Sequence, residues 1–241
     1  FSKLEEMVST QKLSKVGARQ PFSYGIPISV AAIPIRSTPE LVSRHFDPSN
    51  IMLDSNVLLE KANKYYSSIR NDSHARYLSW EHCYSYFHEN HIATTSKTRN
   101  FACLHLAWYL ASWGMLRNSF LMQKDYLIHM GVIELIFSRE FSSLLSTPID
   151  GYINNPEDYI NKVFALAERI RDVYTPFAQE YKAEITDTLV TKVLLGTLGC
   201  VPAYDRFFKD GLRITEIASS SFTKESLRSL INYYNLNYVL F

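Results

Sequence analysis

A chain of 241 residues with 46% hydrophobic and 14% aromatic residues can bury a sizeable core as one large domain or two small ones, without staples. Its 25 Lys and Arg against 24 Asp and Glu leave a net charge of +1, which excludes the broad basic field of a nonspecific nucleic-acid binder. No apolar run is long enough to span a bilayer, and the opening Phe1-Ser2-Lys3-Leu4-Glu5-Glu6 is more charged than a signal peptide tolerates.

Cys83, Cys103 and Cys200 are odd in number and far apart, which reads as buried thiols in a reducing, cytoplasmic setting rather than a disulfide framework. Phe1 stands where an initiator methionine is expected, so further sequence is anticipated ahead of it. With only 8 glycines, Gly-rich loops and β turns are scarce, and an all-α fold is expected.

Ser2 to Val16 reads as a short amphipathic helix. Residues 17–49 then collect Pro21, Pro27, Pro34, Pro39 and Pro48, which exclude a long helix. Inside that stretch, residues 26–35 are apolar and β-branched, so an extended arm is predicted, packed on the helices or received by a partner subunit. The division is an N-terminal helix and arm over 1–50 and an all-helical domain over 51–241.

Helical patterning runs from Asp54 almost to the end. Helices are predicted over Asp54 to Arg70, Ser73 to Asn90, and Arg99 to Leu116, with the polar run Thr94 to Thr98 as the link before the third. The third is apolar almost all round, with Phe101, Leu104, Trp108 and Met115 on one side and Leu106, Tyr109, Leu110 and Trp113 on the other. Such a helix is expected at the centre of a single multi-helix domain, sandwiched so that Trp108 and Leu110 are both buried. A helical region bent near Gly131 follows over Phe120 to Leu145, then a loop between Pro148 and Pro156. Helices over Glu157 to Lys182, Asp187 to Leu198, Ala203 to Asp210 and Thr223 to Tyr234 complete the chain.

The chemistry-bearing residues are concentrated. All three tryptophans and six of the seven histidines lie between His74 and His129. Phosphate-cradling glycine loops, Gly-x-Ser-x-Gly, His-Glu-x-x-His and Cys-x-x-Cys are absent from the sequence, and so are Glu-x-x-His pairs for a di-iron bundle. His88 and His91 share a helix face, but no third ligand is visible nearby, so no metal and no cofactor are expected.

His105 sits on the most apolar helix, where an imidazole must find partners and is either a satisfied core group or a catalytic one. Arg117, Gln123, Lys124 and Asp125 cluster between two apolar helices, with His129 four residues after Asp125. That spacing suits a carboxylate orienting a general base, and it suits an ordinary surface pair as well. Glu81, His82 and His105 are expected to converge on the same end of the bundle. The aromatic pair Tyr65 and Tyr66 and the run Tyr84, Tyr86 and Phe87 read as core, or as stacking groups for a base beside Arg or Lys.

The segment from Leu189 to Phe208, with Lys192 on a helix followed by Pro202-Ala203-Tyr204-Asp205, resembles the lysine-bearing helix and Pro-x-x-Asp helix start of the helix-hairpin-helix DNA glycosylase superfamily. The resemblance implies Lys192 as a nucleophile on a sugar carbon and Asp205 as a helix cap that stabilises developing positive charge. No Leu-Pro-Gly-Val-Gly-like hairpin precedes Lys192, and the Lys192 to Asp205 interval is several residues shorter than in that pattern. Over a longer span, Leu110-Ala111-Ser112-Trp113-Gly114-Met115 and Gly196 through Asp205 resemble a family of all-helical bacterial proteins of unknown activity.

Two functions follow as expectations. The first is a cytoplasmic binding or interaction module with its site near Arg117 to Asp125, meeting a protein partner or a second copy through the N-terminal arm. The second is an enzyme acting on nucleic acid or a nucleobase, carried by Lys192 and Asp205 or by His105 and Asp125. The near-zero charge favours the first. As a plain helix start, Asp205 bonds its own backbone and Lys192 is solvated, and this structural outcome is the one expected.

Overall fold

In the computed structural model of the protein, residues 55–92, 95–146 and 155–237 are described. The predicted N-terminal helix, the proline-rich arm and most of the loop after Pro148 lie outside them. Among the described residues there are nine α-helices and no strand, gathered in a single all-helical domain as the sequence predicts. They are α1 (Ser55–Arg70), α2 (Leu78–Asn90), α3 (Ser96–Ser112), α4 (Met130–Ile136), α5 (Ser142–Ser146), α6 (Pro156–Gln179), α7 (Asp187–Leu198), α8 (Arg206–Thr215) and α9 (Lys224–Leu236). Two 3-10 turns, Phe120–Gln123 and Tyr126–His129, join α3 to α4.

Side-chain caps fix most of the helix starts. Thr95, Thr186, Asp205 and Thr223 each accept the N–H of the residue three positions on, and Asn155 does so just ahead of Pro156 at the first helical position. This places α3 earlier than predicted, because Thr95, in the run read as a link, is its cap. It places α8 later, after Asp205, with Pro202 and Ala203 still outside the helix; α8 also runs through Gly211 to Thr215. Helix α2 begins at Leu78 rather than Ser73, since residues 71–77 form turns in which Asp72 accepts the His74 N–H. The predicted helical region from Phe120 to Leu145 is broken for a similar reason. Ser119 and Asp125 each accept an N–H only two residues on, which winds the chain into 3-10 turns.

The most enclosed element is α7, in which every residue from Leu189 to Leu198 is buried. Its small and self-satisfied residues permit this. Thr191 and Thr197 donate to the carbonyls of Asp187 and Val193 one turn back, and Gly196 lies flat against Tyr109 of α3, so close that a Cβ there would meet the ring at 2.4 Å. Helices α2, α3 and α6 pack around it.

Helix α3 shares the centre, but only by its inner face. Ala102, Cys103, Leu106, Tyr109 and Leu110 are buried against α2, α7, α4 and the second 3-10 turn. The other face is open: Phe101 is 44% exposed, Leu104 39% and Trp108 68%. The expectation of a helix sandwiched on all sides, with Trp108 buried, is therefore corrected. All the packing partners lie on one side, and hydrophobicity alone does not say which apolar residue faces in.

Candidate functional site

Where α3 meets the 3-10 turns, a cleft of about 310 Å³ opens beside that exposed face. Leu104, Ala107, Trp108 and Ala111 of α3 form one wall, and the two alanines leave the room. Leu116, Leu121, Tyr126 and Ile128 line the rest, together with Lys124, Asp125 and His129. Tyr126 ties this wall to the start of α3, its hydroxyl donating to Asn100 Oδ1 at 2.8 Å.

Three predicted residues thus converge, but not in the predicted pairing. Asp125 accepts the Leu127 N–H at 2.9 Å and so caps its own turn. Because a 3-10 turn has 3.0 residues per revolution, residues four apart no longer share a face, and His129 turns inward to Tyr174 of α6 instead. Its Nδ1 lies 2.6 Å from the Tyr174 hydroxyl, and the imidazole is only 4% exposed. Burial pulls its pKa down to about 4, so it is neutral at neutral pH.

The Tyr174 side chain is fully buried, and its hydroxyl has no other hydrogen-bond partner among the described residues. The phenol therefore donates to Nδ1, and the imidazole carries its proton on Nε2. Lys124 is committed elsewhere. It pairs with Glu180, which holds its pKa up, and lies over the rings of Phe177 and Tyr181 at 5.8 and 5.3 Å.

Lys192 and Asp205 form a second, separate cluster. Lys192 is 5% exposed; its Nζ donates to the Trp113 carbonyl at 3.1 Å, lies 3.6 Å from the Asp205 carboxylate and 5.5 Å from the Trp113 ring centroid. The expectation of a solvated lysine is corrected. Trp113 is the C-cap of α3, so the ammonium sits at the negative end of that helix dipole, a favourable place for a cation. Desolvation pulls the Lys192 pKa below the usual lysine range, and Asp205 opposes this. Asp205 also accepts the Phe208 N–H of α8 at 3.1 Å, the helix-start role expected of it.

The other candidates stand apart from the cleft. His105 is half-buried and stacks on Tyr86 at 4.2 Å; burial, then neighbouring His82, lowers its pKa. Glu81 hydrogen-bonds Tyr65 of α1, and His82, Arg117 and Gln123 are exposed. None of Glu81, His82, His105, Arg117 and Gln123 lines the cleft, so the convergence expected of the first three with Asp125 and His129 does not form. Tyr66, read as core, is exposed. His91 turns its Nδ1 to the His88 carbonyl, and among the described residues no group of three His, Cys, Asp or Glu is placed to hold a metal ion.

Sequence reasoning missed Tyr174, the partner of His129, and Trp113, the acceptor for Lys192. Both contacts span tens of residues and leave no local signature. No protein family, curated protein or solved structure matches the chain.

Proposed function

We propose that the protein is a binding module whose docking surface is the outer face of α3, and that its partner presents an amphipathic helix. One observation carries this reading: Phe101, Leu104, Trp108 and Ala111 are all exposed and recur at the three-then-four spacing that keeps one stripe along a helix. An open apolar stripe of that spacing is what a second helix packs against, anchoring at successive turns. Lys97 lies over the Phe101 ring at 6.0 Å, and Lys124 and Asp125 border Leu104 and Trp108, so the apolar stripe has charged groups at its margins, as interfaces with a polar rim do. No helix among the described residues is long and apolar enough to cross a membrane, so the stripe is not part of a span.

The test places a photo-crosslinking amino acid at Trp108, and at Arg206 as a control on exposed surface, in cells of the natural host. A covalent adduct is expected at position 108 and not at 206, on a partner peptide with apolar residues at helical spacing, and Phe101→Glu abolishes it. No adduct above the control, or adducts on peptides without that periodicity, would refute the reading.

A second reading is favoured by the 3.6 Å approach of Lys192 to Asp205 and the lowered lysine pKa. This is a DNA lyase in which the amine adds to the aldehyde of an abasic site and loses water to give an imine. Borohydride trapping on abasic duplexes decides it: an adduct missing in Lys192→Ala supports the lyase, and no adduct leaves the amine as a helix clamp.

A further inference from the structure

The cleft shares Leu104, Trp108 and Ala111 with the docking face and has a property that the stripe by itself lacks. Its walls are apolar, and the two charged groups at its edge are engaged within the protein, Lys124 by Glu180 and Asp125 by the backbone of its own turn. The remaining polar group in play is His129. Its Nδ1 is taken by Tyr174, and its Nε2 has no hydrogen-bond partner among the described residues, although the side chain is almost wholly buried. His129 is one of the residues that line this cleft. A donor on the wall of an otherwise apolar cleft orients whatever enters, and a ligand that presents an acceptor to it gains a hydrogen bond there.

We propose that the cleft is a binding site for a small, flat, apolar molecule carrying one hydrogen-bond acceptor oxygen, a ketone or amide carbonyl, which the Nε2–H of His129 receives. The size is right: about 310 Å³ lies at the lower end of cavities that hold organic ligands, and such sites combine apolar walls with a few placed polar groups. The acceptor follows from the tautomer. With Nδ1 accepting from the Tyr174 hydroxyl, the free nitrogen is a donor and selects groups that present an acceptor atom over those that can only donate. The imidazole is neutral, so a neutral carbonyl suffices and a carboxylate gains no ion pair. Ala107 and Ala111 line the α3 side with small side chains, and Trp108 beside them is an aromatic surface for a planar ring.

The experiment compares 2-acetylnaphthalene with 2-ethylnaphthalene, which share a shape and differ in the carbonyl, by NMR titration of histidine-labelled protein. The wild type is expected to bind the ketone about fivefold to tenfold more tightly, the gain from one neutral hydrogen bond, with the His129 nitrogen signals moving as it binds. His129→Phe removes the preference. Should that variant fail to fold, Ala107→Leu fills the cleft from the α3 side and abolishes binding of both compounds.

No binding, equal binding of the two compounds by the wild type, or a preference that survives His129→Phe overturns the proposal. The outcome is separable from the docking reading: Phe101→Glu, which alters the stripe outside the cleft, is expected to abolish crosslinking at position 108 and to leave the titration unchanged.

Discussion

His129 makes the protein sensitive to acid in a calculable way. In the unfolded chain an imidazole takes up a proton near pH 6.5, whereas burial in the native state delays this to about 4. Between those values the unfolded state binds a proton that the native state refuses, so stability falls as pH drops from about 6.5 toward 4. The loss from this group reaches about 3 kcal/mol at the lower end. His129→Leu removes the contribution, so urea midpoints of variant and wild type are expected to converge as the pH is lowered through this window; parallel curves would count against the assignment. The residue itself was legible, since a histidine in an apolar stretch asks for a partner. The partner was not, because Tyr174 lies 45 positions away and carries no mark distinguishing it from any other aromatic on a core-facing helix stripe. Trp108 shows the opposite failure: an aromatic in an apolar run reads as buried, and only the packing shows it facing water.

Lys192 joins three elements: it extends from α7, donates to the C-cap carbonyl of α3, and faces the N-cap carboxylate of α8. A buried ammonium without its counter-ion is far worse than no charge at all. Asp205→Asn keeps a competent helix cap and removes only the charge, so it is expected to cost about 2 to 3 kcal/mol in the wild type. In a Lys192→Met background the same change is expected to cost less than about 1 kcal/mol. A double-mutant cycle by denaturant unfolding measures the coupling, and simple additivity would sink the clamp.

At this scale the sequence was most readable where caps and periodicity agree. Asp187 to Leu198 was placed without error, and α6 and α9 nearly so. It failed between α3 and α4, where apolar periodicity continues but Ser119 and Asp125 divert the backbone into 3-10 turns. The cleft owes its second wall to that diversion, so the candidate site could not be read from periodicity alone.

One contiguous set of buried side chains runs from Cys83 and Phe87 of α2 through α7 to Leu230 and Ile231 of α9. A single core of this kind unfolds as a unit, so far-ultraviolet circular dichroism and tryptophan fluorescence are expected to give coincident denaturant transitions. Two separated transitions would divide the chain into subdomains that the packing does not show. Helix α1 is the exception to watch, since Leu59 and Tyr66 stand in solvent and its tie to the rest includes Tyr65 against Tyr77 and Glu81. Its amides are expected to exchange with solvent hydrogen earliest among the helices. The all-helical class was legible from scarce glycine and unbroken patterning, whereas the identity of the most enclosed helix was not. Large aromatics drew attention to α3, while α7 is enclosed because Gly196 leaves no room for a Cβ against the Tyr109 ring and its residues from Leu189 to Leu198 are all buried.

The three buried thiols turn this architecture into its own stopwatch. Cys83, Cys103 and Cys200 sit on α2, on α3 and just past α7, and burial pushes all three pKa values up, Cys103 to about 11 and Cys200 to about 12. The thiolate is the form that reacts with an alkylating reagent, so none of the three is labelled until its surroundings part. The rate at which each position takes up label, resolved by mass, reads out how often that part of the protein opens, with no residue changed.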